Sequence, residues 1–470
     1  MSDTWYRAML ARDRRFDGVF FVGVKTTGIY CRPVCTARTP GPSRCEFFTS
    51  RIDAEREGFR ACFRCRPELA PGNAPVDAVP RLVDQAVCRI EQGALNEGSV
   101  ETLAEALNVS GRHLRRAMTD QLGLSPVELA QHARLGFAKR LLQDSALPLA
   151  ELAFAAGFQS VRRFNSAFRS HFGRSPSSLR RERPDATGDV KLRLDYRPPL
   201  AWEALLAFLA YRAIPGVESV EGGTYHRTVE LDGRRGWVSV TREGERLVAT
   251  VCASLLGSLM PLVAKLRGLF DLDAHPAEVD AVLKRHPALR SRVRRTPGLR
   301  VPGAFDAFET AVRAVLGQQI SVKGATTIAG RVVQRFGKKL DGAPARLTHV
   351  FPTAKSLARA TVDDVAGLGM PGARARSLIG LAAAIDGGLT LARGVPLEPT
   401  LEKLKALPGI GEWTAQYLAM RALSWPDAFP ASDLGVLKAL GVKDAKQSLL
   451  HAEAFRPWRA YATLHLWSPP

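Results

Sequence analysis

Leu407-Pro408-Gly409-Ile410-Gly411 runs into Glu412-Trp413-Thr414-Ala415, and eighteen residues after Ala415 a lone acid, Asp433, follows the step Phe429-Pro430. Two glycines around one apolar residue form a tight turn in which no Cβ keeps backbone N–H groups from a phosphate. Such a turn grips a nucleic-acid backbone without reading its bases. A lone Gly-x-Gly would also serve as a helix C-cap, and Asp433 would also serve as the N-cap of a helix over 434–440. The second constellation is Cys31-x3-Cys35 and Cys62-x2-Cys65, two pairs separated by 26 residues. That spacing suits two loops closing around one tetrahedral Zn²⁺. On spacing alone, the favoured role for the ion is to hold a small module together. Cys45, Cys88 and Cys252 fit no ligand pattern.

The chain that must position these residues has 470 of them, too many for one core, and three or four domains are expected. A formal charge of +20 points to a polyanionic partner, because clustered Lys and Arg neutralise phosphates with release of counterions. No run of about 18 apolar residues exists, and the start, Met-Ser-Asp-Thr-Trp-Tyr-Arg, has no signal-peptide core. A cytoplasmic location with no membrane partner is therefore expected. In a reducing compartment, five cysteines before residue 66 favour metal ligation or thiol chemistry over disulfides.

Along the chain, residues 70–80 carry three prolines and read as a linker, and a second boundary falls at 183–189. Between them a helix-turn-helix pattern occurs twice. Leu103, Ala104, Leu107 and Val109 lead through Ser110-Gly111 into Arg112, Leu114, Arg115 and Arg116. Leu149, Leu152, Ala153 and Ala156 lead through Gly157 into Gln159, Arg162, Arg163 and Phe164. Beyond 190 the period alternates, and strands are expected at 190–196, 225–231, 237–241 and 247–252, with Asp232-Gly233 as a hairpin turn. Helices are expected at 202–214 and 255–269. From about residue 300 helical periodicity runs to the end, as in the stripe Phe308, Ala311, Val312, Val315 and Leu316. The fold class is multidomain and mainly α with α+β parts.

Three family resemblances follow from these motifs. Thr26-Thr27-Gly28-Ile29-Tyr30-Cys31-Arg32-Pro33-Val34-Cys35, with Gly58 to Pro67 around Cys62 and Cys65, resembles the zinc domain of Ada proteins over residues 4–69. The resemblance implies that Cys31 accepts the methyl group of a methyl phosphotriester in DNA while Cys31, Cys35, Cys62 and Cys65 hold Zn²⁺. Arg32, Arg38, Arg44, Arg60, Arg64 and Arg66 surround the cysteines and are candidates for phosphate contacts. The paired helix-turn-helix resembles the AraC-type DNA-binding domain, with Ala153-x3-Gly157-Phe158-x-Ser160-x3-Phe164 as its signature. It implies promoter DNA and RNA polymerase as partners, and places Arg112, Arg115, Arg116, Gln159, Arg162 and Arg163 in major grooves. Residues 101–183 hold thirteen Lys or Arg against seven Asp or Glu, an excess that a purely structural bundle does not need.

Residues 190–470 resemble the AlkA type of 3-methyladenine DNA glycosylase through Leu316-Gly317-Gln318-Gln319-Ile320-Ser321, Leu368-Gly369-Met370-Pro371, the Gly409/Gly411 hairpin with Thr414, Phe429 to Asp433, and Trp458 to Ala462. The family's helix-hairpin-helix makes Gly409, Gly411 and Thr414 DNA contacts and Asp433 the catalytic carboxylate. Trp413, Tyr417 and Trp467 become the aromatic pocket for a flipped, cationic base, and Gln319 stands where relatives insert an apolar wedge. Backbone carbonyls of Lys405, Leu407 and Ile410 are the family's sites for a monovalent cation. Trp413 occupies the position of the lysine used by strand-cleaving relatives, so no lyase activity is expected. No cysteine follows Cys252, which excludes the iron–sulfur loop of other relatives. No cysteine precedes a histidine either, so a guanine O6-alkyl transferase motif is absent.

The expected order is a zinc domain over 1–70, an AraC-type domain over 80–183, an AlkA-like α+β module over 190–298 and a helix-hairpin-helix glycosylase domain over 299–470. The expected function joins a methyl phosphotriester sensor and transcription regulator to a monofunctional glycosylase for alkylated purines in double-stranded DNA. The alternative is an alkylation-responsive regulator whose glycosylase-like half only binds DNA.

Overall fold

The glycines and serines that punctuate the sequence start and stop its helices in the computed structural model, which describes residues 2–71, 81–145, 147–179 and 189–468. The linker expected at 70–80 and the boundary expected at 183–189 fall almost wholly outside the described residues. Two compact units emerge. One comprises residues 1–198, 243–264 and 272–274, the other 199–242, 265–271 and 275–470.

In the first unit, a four-stranded sheet has the order Cys45–Phe48, Phe21–Val24, Ile29–Cys31, Arg60–Ala61. Phe20 stacks on Trp5 with ring centroids 5.0 Å apart and anchors a small core under this sheet. The strand Ile29–Cys31 delivers Cys31 at its end, paired with Val22. These strands are two to four residues long, too short for the alternation that betrays a strand in sequence.

The two helix-turn-helix units repeat one another in detail. Ser110 and Ser160 cap the helices Gly111–Leu122 and Val161–Phe172, and Gly123 and Gly173 end them, both at φ 68°. Each serine accepts from a backbone N–H two positions inside its helix, a contact that contributes about 1 kcal/mol. Phe164, Phe168 and Phe172, at four-residue steps, turn one face inward and leave Arg162 and Arg163 outside. The 19-residue helix Pro126–Asp144 joins the units and starts with a capping box made by Ser125 and Glu128. An antiparallel pair, Val190–Leu194 with Arg246–Val251, also belongs to this unit.

In the second unit, Glu218–Glu221, Thr224–Leu231 and Arg234–Glu243 form an antiparallel meander. Asp232 and Gly233 make its tight turn, both with positive φ, the geometry that matches strand twist. The helix expected at 255–269 is α-helical only from Leu259, after a 3-10 stretch over Ala253–Ser258. Helices begin before residue 300, at Pro276–Leu283 and Pro287–Arg295, each with proline in its first turn. The helical lobe gathers around Ala307–Leu316, whose stripe Phe308, Ala311, Val312, Val315 and Leu316 is wholly buried. Around it pack Val322–Phe336, Gly372–Asp386 and Glu412–Arg421. Among the described residues no helix is long and apolar enough to cross a membrane.

Candidate active site and metal centre

The helices Leu397–Lys405 and Glu412–Arg421 flank the glycine turn, and Gly409 sits there at φ 82°. A Cβ on Gly409 would stand 2.2 Å from Ser377 Oγ, so the position demands glycine for its backbone angle and for its space. Nothing lies within 4 Å of a Cβ on Gly411, which leaves that side of the turn open. Gln318 braces the turn from beneath, donating to the Gly409 carbonyl at 2.8 Å and to Thr414 Oγ1 at 3.0 Å. Thr414 is buried and its Oγ1 is taken by this brace, so the structure does not turn it toward the open side of the hairpin where the DNA contact is expected. Of the carbonyls expected around a monovalent cation, that of Leu407 accepts from Ile410 N–H.

Asp433 begins the helix Leu434–Leu440 and caps it, its Oδ1 accepting from Val436 N–H at 3.0 Å. Two indoles hold the same carboxylate. Trp413 Nε1 donates to Oδ2 at 2.9 Å and Trp467 Nε1 donates to Oδ1 at 2.8 Å. Trp413 stacks on Tyr417 at 5.3 Å, and the Trp467 ring tilts against Tyr417 at 6.3 Å. All four side chains line one cleft of about 770 Å³. The carboxylate is thus fixed in orientation by three donors and faces an aromatic wall.

Gly435, which sequence reasoning missed, also lines this cleft. A Cβ there would lie 3.0 Å from the Trp467 ring and 3.1 Å from Asp433 Oδ1, so its bareness lets indole and acid meet. Also missed was a buried charge network along the cleft: Arg227 to Glu309 at 2.8 Å, Arg313 to Glu309 at 2.7 Å, and Arg313 to Glu218. Burial opposes the charge of Glu218, but Arg313 and then Arg227 outweigh it and hold the carboxyl below its ordinary range. Only the Glu309–Arg313 pair is local, an i, i+4 step on one helix; Arg227 reaches Glu309 across 82 residues and Arg313 reaches Glu218 across 95, which no local pattern signals. Gln319 is exposed at φ 57° in the turn between Ala307–Leu316 and Val322–Phe336 and does not line the cleft.

In the first unit, the Sγ atoms of Cys31, Cys35, Cys62 and Cys65 all lie within 4.8 Å of one another. The backbone N–H of Arg32 donates to Cys65 Sγ at 3.3 Å. The Cys31 thiol, hydrogen-bonded to Cys35 and Cys62, holds Cys62 far below the ordinary thiol range and brings Cys35 down to about 7; the bond to Cys35 above all holds Cys31 itself far up. Only a soft cation among the four sulfurs lets all of them be thiolates together, and the donor set fits Zn²⁺.

Two of the arginines expected to meet phosphate do not face outward. Arg32 is buried between Asp17 and Asp195, and Arg66 is buried against Asp144. Desolvation forces each buried guanidinium to pair with carboxylates, which a spacing argument does not foresee. Arg38, Arg44, Arg60 and Arg64 are exposed. The helix Pro126–Asp144 clasps the loop carrying the second cysteine pair: buried Lys139 donates to the Cys62 carbonyl at 2.8 Å and to Glu68 at 2.9 Å, and Gln143 donates to the Phe63 carbonyl. On the recognition helices Arg112, Arg115, Arg116, Arg162 and Arg163 are exposed, although Arg115 pairs with Glu101. Gln159, also exposed, donates to the Asn96 carbonyl at 2.9 Å.

A glycine-turn hairpin beside a cleft with a fixed carboxylate fits the class of base-excision DNA glycosylases, and residues 312–446 match the family model of the HhH-GPD superfamily of base excision DNA repair proteins. Residues 191–306 match the AlkA N-terminal domain, 103–182 a helix-turn-helix domain, and 4–68 the metal binding domain of Ada. The chain is 40% identical to the probable bifunctional transcriptional activator/DNA repair enzyme AlkA of Mycobacterium tuberculosis, over 98% of this chain and 95% of that one. It is 38% identical to DNA-3-methyladenine glycosylase 2 of Escherichia coli, over 58% of this chain and 95% of that one. The chain belongs to this family of bifunctional proteins, in which an Ada-like, DNA-binding regulator is joined to a DNA glycosylase. Among solved structures, the 3-methyladenine DNA-glycosylase from Archaeoglobus fulgidus is similar, with 25% identity and a TM-score of 0.52 over 58% of this chain and 96% of that one.

Proposed function

We propose that the second unit releases alkylated purines of the 3-methyladenine type from double-stranded DNA by hydrolysis, without strand cleavage. The observation that carries this reading is the Asp433 carboxylate, oriented by Trp413 and Trp467 in an aromatic cleft. An alkylated purine carries positive charge, so its bond to the sugar is already weakened and the base leaves with little acid assistance. The π faces of Trp413 and Tyr417 suit a cationic ring that has left the base stack. As the C1′–N bond breaks, positive charge grows on the deoxyribose and the fixed carboxylate opposes it. Water then adds at C1′ and gives up a proton, leaving an abasic site and the free base. Gly409 and Gly411 hold the phosphate backbone, Gln319 fills the vacated stack, and the carbonyls of Lys405, Leu407 and Ile410 hold a monovalent cation.

In the first unit, the proposed reaction is transfer of a methyl group from a DNA methyl phosphotriester to Cys31. Bound Zn²⁺ keeps thiolates deprotonated at neutral pH. Cys31 Sγ attacks the methyl carbon, the C–O bond breaks, and the products are an S-methyl thioether and a phosphodiester anion. Loss of one negative charge at the sulfur cluster lowers its repulsion toward DNA. The helix-turn-helix pair, through Arg112, Arg116, Arg162 and Arg163, then engages promoter DNA, with RNA polymerase as the partner it recruits.

One experiment tests both halves: incubate the protein with methylated duplex DNA, and measure free base and the mass of Cys31. Asp433→Asn should cut base release by at least about a hundredfold while DNA binding persists. Undiminished release in that variant overturns the catalytic assignment. No release by the unaltered protein would favour a half that only binds DNA. No added methyl on Cys31 would return the cysteine cluster to a purely structural role.

A further inference from the structure

A second cluster of metal-ligating side chains lies in the first unit, away from the cysteines. Glu55 stands on the short helix Arg51–Arg56, His132 in the middle of Pro126–Asp144, and His171 near the end of Val161–Phe172. One donor atom from each lies within 4.8 Å of the other two. The rings of His132 and His171 face one another with centroids 5.3 Å apart. Glu55 Oε1 is taken by the Tyr30 hydroxyl at 2.6 Å, which leaves Oε2 to face the histidines.

The contact between Oε2 and His132 Nδ1 is informative. The two atoms are 2.8 Å apart, an ion-pair contact in which the buried Nδ1 does not meet the angular geometry of a hydrogen bond. Their separation is that of an ion pair, and an ion with ligand bonds of about 2.0–2.1 Å would part them to a donor spacing of about 3.3 Å. A simple ion pair would need one histidine, whereas here a second imidazole converges on the same point.

We propose that Glu55, His132 and His171 form a second metal site, for Zn²⁺ or a similar borderline divalent ion, with a fourth position left for water. The mixed nitrogen and oxygen donors select against Mg²⁺ and Ca²⁺, which take oxygen shells. Tyr30 acts behind the ligand, fixing the carboxylate through its hydroxyl. Because Glu55 lies in the segment matching the Ada metal-binding domain and both histidines in the segment matching the helix-turn-helix domain, the ion would tie the sensor to the joining helix and to the second recognition helix of the DNA reader. Tyr30 directly precedes Cys31, so the tie reaches the methyl acceptor itself.

The test uses the untagged full-length protein carrying the tightly held zinc of its cysteine cluster, titrated with Co²⁺. Expected is one further equivalent whose visible bands come without the near-ultraviolet thiolate-to-metal charge transfer of a cysteine site. Glu55→Gln and His171→Ala should each weaken that equivalent by at least about tenfold while the tight zinc stays. Retention of the tight zinc shows that each variant remains folded, and the near-isosteric Glu55→Gln decides the matter if His171→Ala loses it. The proposal is overturned if the unaltered protein takes up no second ion, or if Glu55→Gln binds it as tightly as the parent.

Discussion

A carboxylate that must meet a growing positive charge is most useful when it cannot turn away, and Asp433 is held by two indole N–H groups and a backbone N–H. Trp467→Phe keeps the ring and removes one donor. Single-turnover base release should fall by about ten- to a hundredfold with little change in DNA affinity; an equal loss in affinity would mean that the ring rather than the N–H matters. His465, two residues before Trp467, is buried and pushed down to about 4, first by desolvation and then by the Arg292 charge. Its ordinary value is near 6.5, so between those limits the unfolded chain binds a proton that the folded chain refuses. Stability contributed by this neutral side chain is whole above about pH 6.5 and drains away toward pH 4, by about 3 kcal/mol in all. His465→Leu should flatten that part of the stability profile in denaturant titrations, and an unchanged slope would clear His465 of the effect.

At the scale of elements, the hairpin depends on one backbone angle and one empty space. Gly409→Ala should cost about 1–3 kcal/mol in thermal unfolding and weaken DNA binding, since φ 82° and the Ser377 hydroxyl both resist a methyl group. Gly435→Ala should leave stability nearly unchanged but slow base release, by pressing Trp467 off Asp433; a variant as fast as the parent would show the two can give way. The elements legible in sequence were those with a long period or a stereotyped punctuation: the paired helix-turn-helix, the Ala307–Leu316 stripe, the Asp232-Gly233 turn and the hairpin glycines. The short strands around the cysteines escaped notice because two to four residues hold no period. The charged ladder was hidden for another reason: its rungs Arg227 to Glu309 and Arg313 to Glu218 form only when distant helix and meander meet. The resemblance implies stacking for Trp413 and Trp467, whereas their donation to Asp433 arises only from the tertiary fold, across 20 and 34 residues.

For the whole molecule, a charge of +20 makes association with DNA a salt-sensitive event. The logarithm of affinity should fall with the logarithm of salt by about 0.9 for every phosphate neutralised, and a flat response would show that the excess charge lies away from the interface. Chelation strong enough to strip the four cysteines should unfold the small sheet around them and abolish methyl uptake, since metal and fold stand together in such modules. Lys139 bears on anyone who wishes to cut the protein apart. Its ammonium is fully enclosed, and two of its partners, the Cys62 carbonyl and Glu68, come from upstream of the first linker. A shortened chain beginning after residue 80 would remove both acceptors together with Phe63, over whose ring the ammonium lies, and would open Lys139 to water. A trimmed reader therefore shows solvent a face that the intact chain keeps covered, and its solubility and stability are not those of the whole protein.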